Sequence, residues 1–260
     1  MVIEGSTLYV GLRNADEVAR IDTGTLAPQR PPGVHPANRP YRLAWAGNRL
    51  WVAFGECSGG FDDGVVAIDP SSGHVTTFGA QAFADSCPVV VGSPRLPDRL
   101  FASGSSPPGA VEYGVSGQRL RPVVSLPAAG LGTRDAAVSP DGHFLLAAGN
   151  GNTLQSFSVS TLQSSGTDYV ADSYVTGVNV TAGPDPRVAV GSYTPYGKDV
   201  WVYRASDPQA YASFDLGEGQ EGGLYDGGVA LSPDGERVFV VSGNEGNDAG
   251  AEALFRVIHA

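Results

Sequence analysis

With 36 glycines, 19 prolines and only 17% charged residues in 260, the chain has the make-up of many short strands joined by tight turns, which excludes a helical bundle. A net charge of −11 argues against nucleic acid as a partner, because neutralising phosphates needs a clustered excess of Lys and Arg. No run approaches the roughly 18 apolar residues that cross a bilayer, and Met1-Val2-Ile3-Glu4-Gly5 is not a charged-then-apolar leader, so neither a transmembrane segment nor a signal peptide is expected.

Taken in chain order, the predicted strands fall into six repeats. The first has an apolar strand from Leu8 and another ending in Ile21. The second opens on a weaker run, Leu43-Ala44-Trp45, followed by strands at Leu50 and Ile68 and a fourth at His74-Val75-Thr76-Thr77-Phe78. The third reads Val89-Val90-Val91, then Leu100, Tyr113 and Pro122-Val123-Val124-Ser125-Leu126. The fourth has Ala136-Ala137-Val138, Phe144 and Phe157; the fifth has Val178-Asn179-Val180, Val188, Tyr203 and Tyr211-Ala212-Ser213-Phe214. The sixth has Val229-Ala230-Leu231, Val238 and Val257.

Both main landmarks of the repeat keep one period, in the mid-forties of residues. Each repeat is therefore a four-stranded unit, A to D. The A–B turn reads Ser139-Pro140-Asp141-Gly142 and again Ser232-Pro233-Asp234-Gly235, where proline presets φ and Asp-Gly tolerates the remaining dihedrals. This pattern predicts an all-β fold, a β-propeller of about six four-stranded antiparallel blades. The first and last blades are expected to be incomplete: no inner strand is evident ahead of Leu8, and no outer strand follows Val257. The expectation is a single propeller domain over 1–260, cut from a longer protein, with a seven-bladed parent compatible with the pattern.

Leu8-Tyr9-Val10-Gly11, Val18-Ala19-Arg20-Ile21-Asp22, Val65-Val66-Ala67-Ile68-Asp69 with Pro70-Ser71-Ser72-Gly73, and the two Ser-Pro-Asp-Gly turns resemble the YVTN family of propeller repeats, related to the WD40 type. The resemblance covers nearly the whole chain. It implies a propeller, and it implies several functions, since the family includes surface proteins, interaction scaffolds and lactonase-like or lyase-like enzymes.

Propeller ligands sit at the channel mouth, lined by the B–C and D–A loops. Arg42, Arg134, Asp135, Asn179 and Asp226 lie in or just ahead of inner strands there, and Tyr193 and Tyr196 lie on the fifth B–C loop. An Arg beside two Asp residues can bind a carbonyl or sugar hydroxyl, or can form an ion pair that closes the mouth. Acidic residues crowd these loops, which reads as a solvated surface or as a hard-cation site. Asn244, Glu245 and Asp248 form the richest oxygen-donor stretch for Ca²⁺, although without EF-hand spacing. No other cofactor is indicated. His74 and His143 fall on the opposite face and His35 stands alone near the mouth, which opposes a histidine metal centre. Gly114-Val115-Ser116-Gly117-Gln118 lacks the second glycine of a nucleophile elbow.

Cys57 in the second B–C loop and Cys87 in the following D–A loop fall on one face in neighbouring positions. A disulfide there would close about 30 residues and stabilise by about 3 kcal/mol; two free thiols or a metal pair are the alternatives. The sequence thus predicts a non-catalytic binding module of a secreted or cell-surface protein, a monomer that holds a protein, peptide or glycan ligand on its loop face. The other reading is a divalent-metal-dependent, lactonase-like hydrolase with an acidic mouth, which needs Asp135, Asn179 and Asp226 to converge.

Overall fold

The computed structural model describes residues 1–12, 15–29, 39–55, 63–79, 88–93, 95–105, 108–116, 119–125, 135–148, 151–193, 197–217, 224–242 and 254–260. The chain divides into two compact units, Met1–Ala128 and Ala129–Ala260.

In the first unit, sheet one holds β1 (Val2–Glu4), β2 (Thr7–Leu12) and β3 (Glu17–Asp22). Sheet two holds β4 (Pro40–Ala46), β5 (Arg49–Phe54), β6 (Gly64–Ile68) and β7 (Val75–Gly79), and sheet three β8 (Val89–Val91), β9 (Arg99–Ser105), β10 (Pro108–Ser116) and β11 (Arg119–Ser125). In the second unit, sheet four holds β12 (Ala136–Val138), β13 (Phe144–Ala148), β14 (Thr153–Ser158) and β15 (Ser164–Val170). Sheet five holds β16 (Tyr174–Val180), β17 (Arg187–Tyr193), β18 (Val200–Arg204) and β19 (Ala212–Phe214), and sheet six β20 (Leu224–Leu231), β21 (Arg237–Ser242) and β22 (Leu254–His259). Among the described residues the strands of every sheet follow in sequence order with antiparallel neighbours, A-B-C-D in sheets two to five and A-B-C in sheets one and six, as short connections between consecutive strands require.

The first repeat differs from its sequence reading. Its inner strand exists: Val2, Ile3 and Glu4 pair with Tyr9, Leu8 and Thr7, across a turn in which Gly5 takes φ 58. Three residues are too few to show an alternation, so the strand leaves no periodic signal. Among the described residues the outer strand is what the first sheet lacks. An isolated bridge joins Ile21 to Pro28, and Gln29 N–H donates to Arg20 O at 2.8 Å. Sheet six has no outer strand among the described residues, as expected.

The core lies between consecutive sheets of a unit. Trp51, Ala53, Val65 and Ala67 of sheet two pack against Val90, Leu100, Ala102, Tyr113 and Val115 of sheet three. Leu146, Ala148 and Leu154 of sheet four meet Val175, Val188, Val190 and Tyr203 of sheet five. Ala189, Val200 and Val202 of sheet five meet Leu224, Val229, Val238 and Val240 of sheet six. Burying such side chains stabilises by about 1.5–3 kcal/mol each. Close approach needs a missing side chain at Gly177, where a Cβ would lie 2.8 Å from Val229 Cγ1.

Two buried tyrosines lock sheets four and five. Tyr169 of β15 donates to Ala205 O at 2.8 Å, and Tyr203 of β18 donates back to Val170 O at 2.7 Å. Their ring centroids are 5.1 Å apart. Burial pushes the Tyr169 phenol up to about 12, and burial, with Asp172 adding to it, raises Tyr203 as well.

Candidate functional site

The two ends of the strands carry different chemistry. At the A–B end, the Ser-Pro-Asp-Gly sequence closes on itself. The Ser139 hydroxyl donates to Asp141 Oδ1 and accepts from Phe144 N–H at 2.9 Å, while Gly142 takes φ 77. Ser232 likewise donates to Asp234 and accepts from Arg237 N–H at 2.9 Å. Thr181 stands in for the serine in sheet five, its hydroxyl accepting from Arg187 N–H at 2.8 Å. The C–D turns of this end are held by Asp22, which accepts from Thr25 and Gly24 N–H, and by Asp69, which accepts from the Ser71 hydroxyl at 2.6 Å and from Ser71 N–H.

At the opposite end, carboxylates bind neighbouring backbone. Asp135, just ahead of β12, is buried. Its Oδ1 accepts from Ala136 N–H at 2.8 Å, and its Oδ2 accepts from Val178 N–H of β16 at 2.7 Å. Asn179 makes a comparable link one blade on, but at the A–B end rather than at the channel mouth expected from the sequence, because β16 begins as early as Tyr174 and Asn179 is its next-to-last residue: its Oδ1 accepts from the N–H of Leu231, the last residue of β20, at 3.0 Å. The inner strand of a blade has one ladder edge open, and an unmet N–H there is costly. A side-chain oxygen from the preceding inner strand meets it, so β12, β16 and β20 are linked in succession.

The other site residues fall as follows. Arg42 lies half-buried in β4 beside the register shift between Pro40 and Arg42. Asp226 lies in β20 within the shift between Leu224 and Val229. Tyr193 ends β17, where it pairs with Tyr174. Arg134, Tyr196, Asn244, Glu245, Asp248, Cys57 and Cys87 lie outside the described residues. Among the described residues, no three His, Cys, Asp or Glu side chains gather as a metal site would need.

Two acids are buried at this end: Asp199, which sequence reasoning did not single out, and Asp63, which it counted only among the acidic residues of the loops. Asp199 immediately precedes β18, and its Oδ2 accepts from Leu216 N–H at 2.7 Å. Burial raises its carboxyl, Asp215 adds to the rise, and the Leu216 N–H, Arg256 and Lys198 oppose it. Asp63 precedes β6 and packs so closely on Gly55 that a Cβ there would lie 1.8 Å from Oδ1. In the first sheet Asp16 Oδ1 accepts from Arg39 N–H at 2.7 Å. The signal was present in the sequence as an Asp placed just before an apolar C strand, in Asp63-Gly64-Val65-Val66 and Asp199-Val200-Trp201-Val202. In Asp16 and Asp199 the acid ties a loop to backbone.

No family model matches the sequence, and no curated protein matches it. Among solved structures, the chain is similar to the Cps50 (Swd1) β-propeller domain of Myceliophteria thermophila, with a TM-score of 0.66 and 15% identity over 100% of this chain and 88% of that one. The chain has the β-propeller fold. Its six sheets are blades, and the Asp135 and Asn179 contacts join the inner strands of consecutive blades.

Proposed function

We propose that this propeller is a non-catalytic binding module of the YVTN type, acting as a monomer in a secreted or cell-surface protein and holding a peptide or glycan on its B–C and D–A loop face. The observation that carries the reading is the engagement of the polar groups nearest the inner strands. Both carboxylate oxygens of Asp135 accept backbone N–H groups, and Asn179 Oδ1 does the same. A hydrolase would need such groups turned towards a substrate or metal. Recognition by the loop surface needs only side chains such as Tyr193, Tyr196 and Arg42, which contribute large contact area and hydrogen bonding.

The test is binding of the purified chain to glycan and peptide arrays, with Tyr193→Ala and Tyr196→Ala variants alongside. Reproducible binding that weakens in these variants supports the reading, and silence on every array ends it. Lactone turnover in Ca²⁺ or Mn²⁺ that disappears in Asp226→Asn would establish the hydrolase reading instead.

A further inference from the structure

At the A–B end of blade five the charges do not balance. Strand B opens on an arginine in four blades, at Arg49, Arg99, Arg187 and Arg237. In blades two and three this arginine has an acid of its own: Arg49 reaches Asp69 at 3.2 Å, and Arg99 grips both oxygens of Glu112 at 2.7 and 2.8 Å. In blade five the residue directly across from Arg187 is a second arginine, Arg204, and like charges in that position repel.

One carboxylate serves both arginines. Asp185 Oδ2 accepts from Arg204 Nη1 and lies 3.6 Å from Arg187 Nη2. Asp207 is turned to its own loop, where Oδ1 accepts from Gln209 N–H at 2.9 Å. Among the described residues no second acid pairs with either guanidinium, so the cluster keeps one positive charge in excess within a chain of net charge −11. Both guanidiniums are held over the Tyr211 ring, 5.0 and 5.7 Å from its centroid. The patch is open: the Arg204 and Asp185 side chains are 47% and 45% exposed, and Tyr211 is 43% exposed.

We propose that this patch of blade five docks an acidic segment of a partner protein, with one Asp or Glu carboxylate bridging Arg187 and Arg204. The excess charge, the fixed guanidiniums and the openness of the patch set the chemistry of the occupant. A single excess charge is met by a singly charged carboxylate, whereas a dianionic phosphate over-neutralises it. Guanidiniums already fixed on a ring lose little freedom on forming the fork that a carboxylate fits. An open patch suits a side chain carried on a macromolecule, since small ligands are held in concave pockets. The negative charge elsewhere on the chain acts weakly here, because exposed charges are screened beyond about 8 Å at physiological salt. This surface is separate from the B–C and D–A loop face.

The probe is a labelled tetra-glutamate peptide, compared with tetra-glutamine and with a peptide in which one phosphoserine stands among glutamines. The expected result is saturable binding of the glutamate peptide that weakens as salt is raised, with shifts of the Arg187, Arg204 and Tyr211 resonances on titration. Arg204→Gln, which leaves Arg187 and Asp185 one to one, loses about fivefold or more in affinity, and its unchanged melting shows that it folds. Tyr211→Phe retains the affinity and Tyr211→Ala weakens it. Asp185→Asn strengthens binding by about threefold or more, an outcome that a purely structural ion pair does not give. Tyr193→Ala leaves this affinity unaltered, which separates the result from that of the loop face. The proposal is overturned by no saturation up to about 5 mM peptide, by equal binding of the glutamine peptide, by tighter binding of the phosphoserine peptide, or by an affinity that Asp185→Asn leaves unchanged.

Discussion

Tyr169 and Tyr203 show how much a single hydroxyl does in this core. Each phenol donates to a backbone carbonyl of the adjoining blade, and an unmet buried carbonyl costs about 1–3 kcal/mol. Tyr169→Phe is expected to destabilise by about that amount at pH 7, read from urea unfolding. The folded phenol titrates near 12, above the ordinary value near 10. Its stabilisation is therefore complete below about 10 and disappears as the pH rises through the folded value. The gap between wild type and Tyr169→Phe should narrow over that window. Asp69 behaves in the opposite sense. The hydroxyl and N–H of Ser71, with Ser72 helping, hold its carboxyl well below the usual range, so its stabilisation is complete above about 3.9 and is lost on acidification. Asp69→Asn should be less stable than wild type at pH 6 and approach it as the pH falls towards 2; a gap that stays constant would contradict the assignment. Asp199 has its carboxyl raised by burial, and it favours the fold only at low pH, losing that contribution as the pH rises above about 4.

At the scale of strands and turns, the Ser-Pro-Asp-Gly segment specifies its own geometry. Gly235 takes φ 74, and a Cβ there would meet Arg187 Cγ at 2.5 Å. Gly235→Ala should therefore cost more than the ~1 kcal/mol of backbone strain alone, read as a lowered urea midpoint. Turns and strands of this kind were legible in the sequence because the signal is local. The B and C strands show apolar runs on a common period, and proline and Asp-Gly mark the turns between A and B. Two strands escaped for different reasons. β1 is too short to alternate, and β15, Ser164–Val170, is mostly exposed, so its residues are chosen by solvent and carry no apolar pattern. The position of Asp135 was legible too, since it adjoins an inner strand; Asn179 was expected at the channel mouth but sits at the A–B end, because β16 begins as early as Tyr174. What the two bond to was not legible: Val178 and Leu231 lie 43 and 52 residues further on, and only the packing of one blade on the next brings them into reach.

For the molecule as a whole, the links between blades set the stability that a binding surface needs. Asp135→Ala removes the acceptor of two backbone N–H groups, one of them in the next blade, and should destabilise by about 2–4 kcal/mol; Asn179→Ala, which strands one, should cost about 1–2 kcal/mol. If denaturant unfolding shows neither loss, the side chains are there for a ligand. The proposed Cys57–Cys87 bridge acts on the same scale. Denaturing, non-reducing alkylation followed by intact mass measurement should leave both cysteines unmodified, and reduction should lower stability by about 3 kcal/mol; two alkylated cysteines would rule the bridge out.

The inner-strand links have a consequence for how such a chain changes over generations. Asp135 and Asn179 each grip the main chain of the following blade, and every residue except proline offers the same N–H. The lock therefore makes no demand on the side chain at 178 or 231. A repeat can drift or be replaced by a copy from elsewhere in the array and still be held by its predecessor, provided that its inner strand keeps its place and avoids proline.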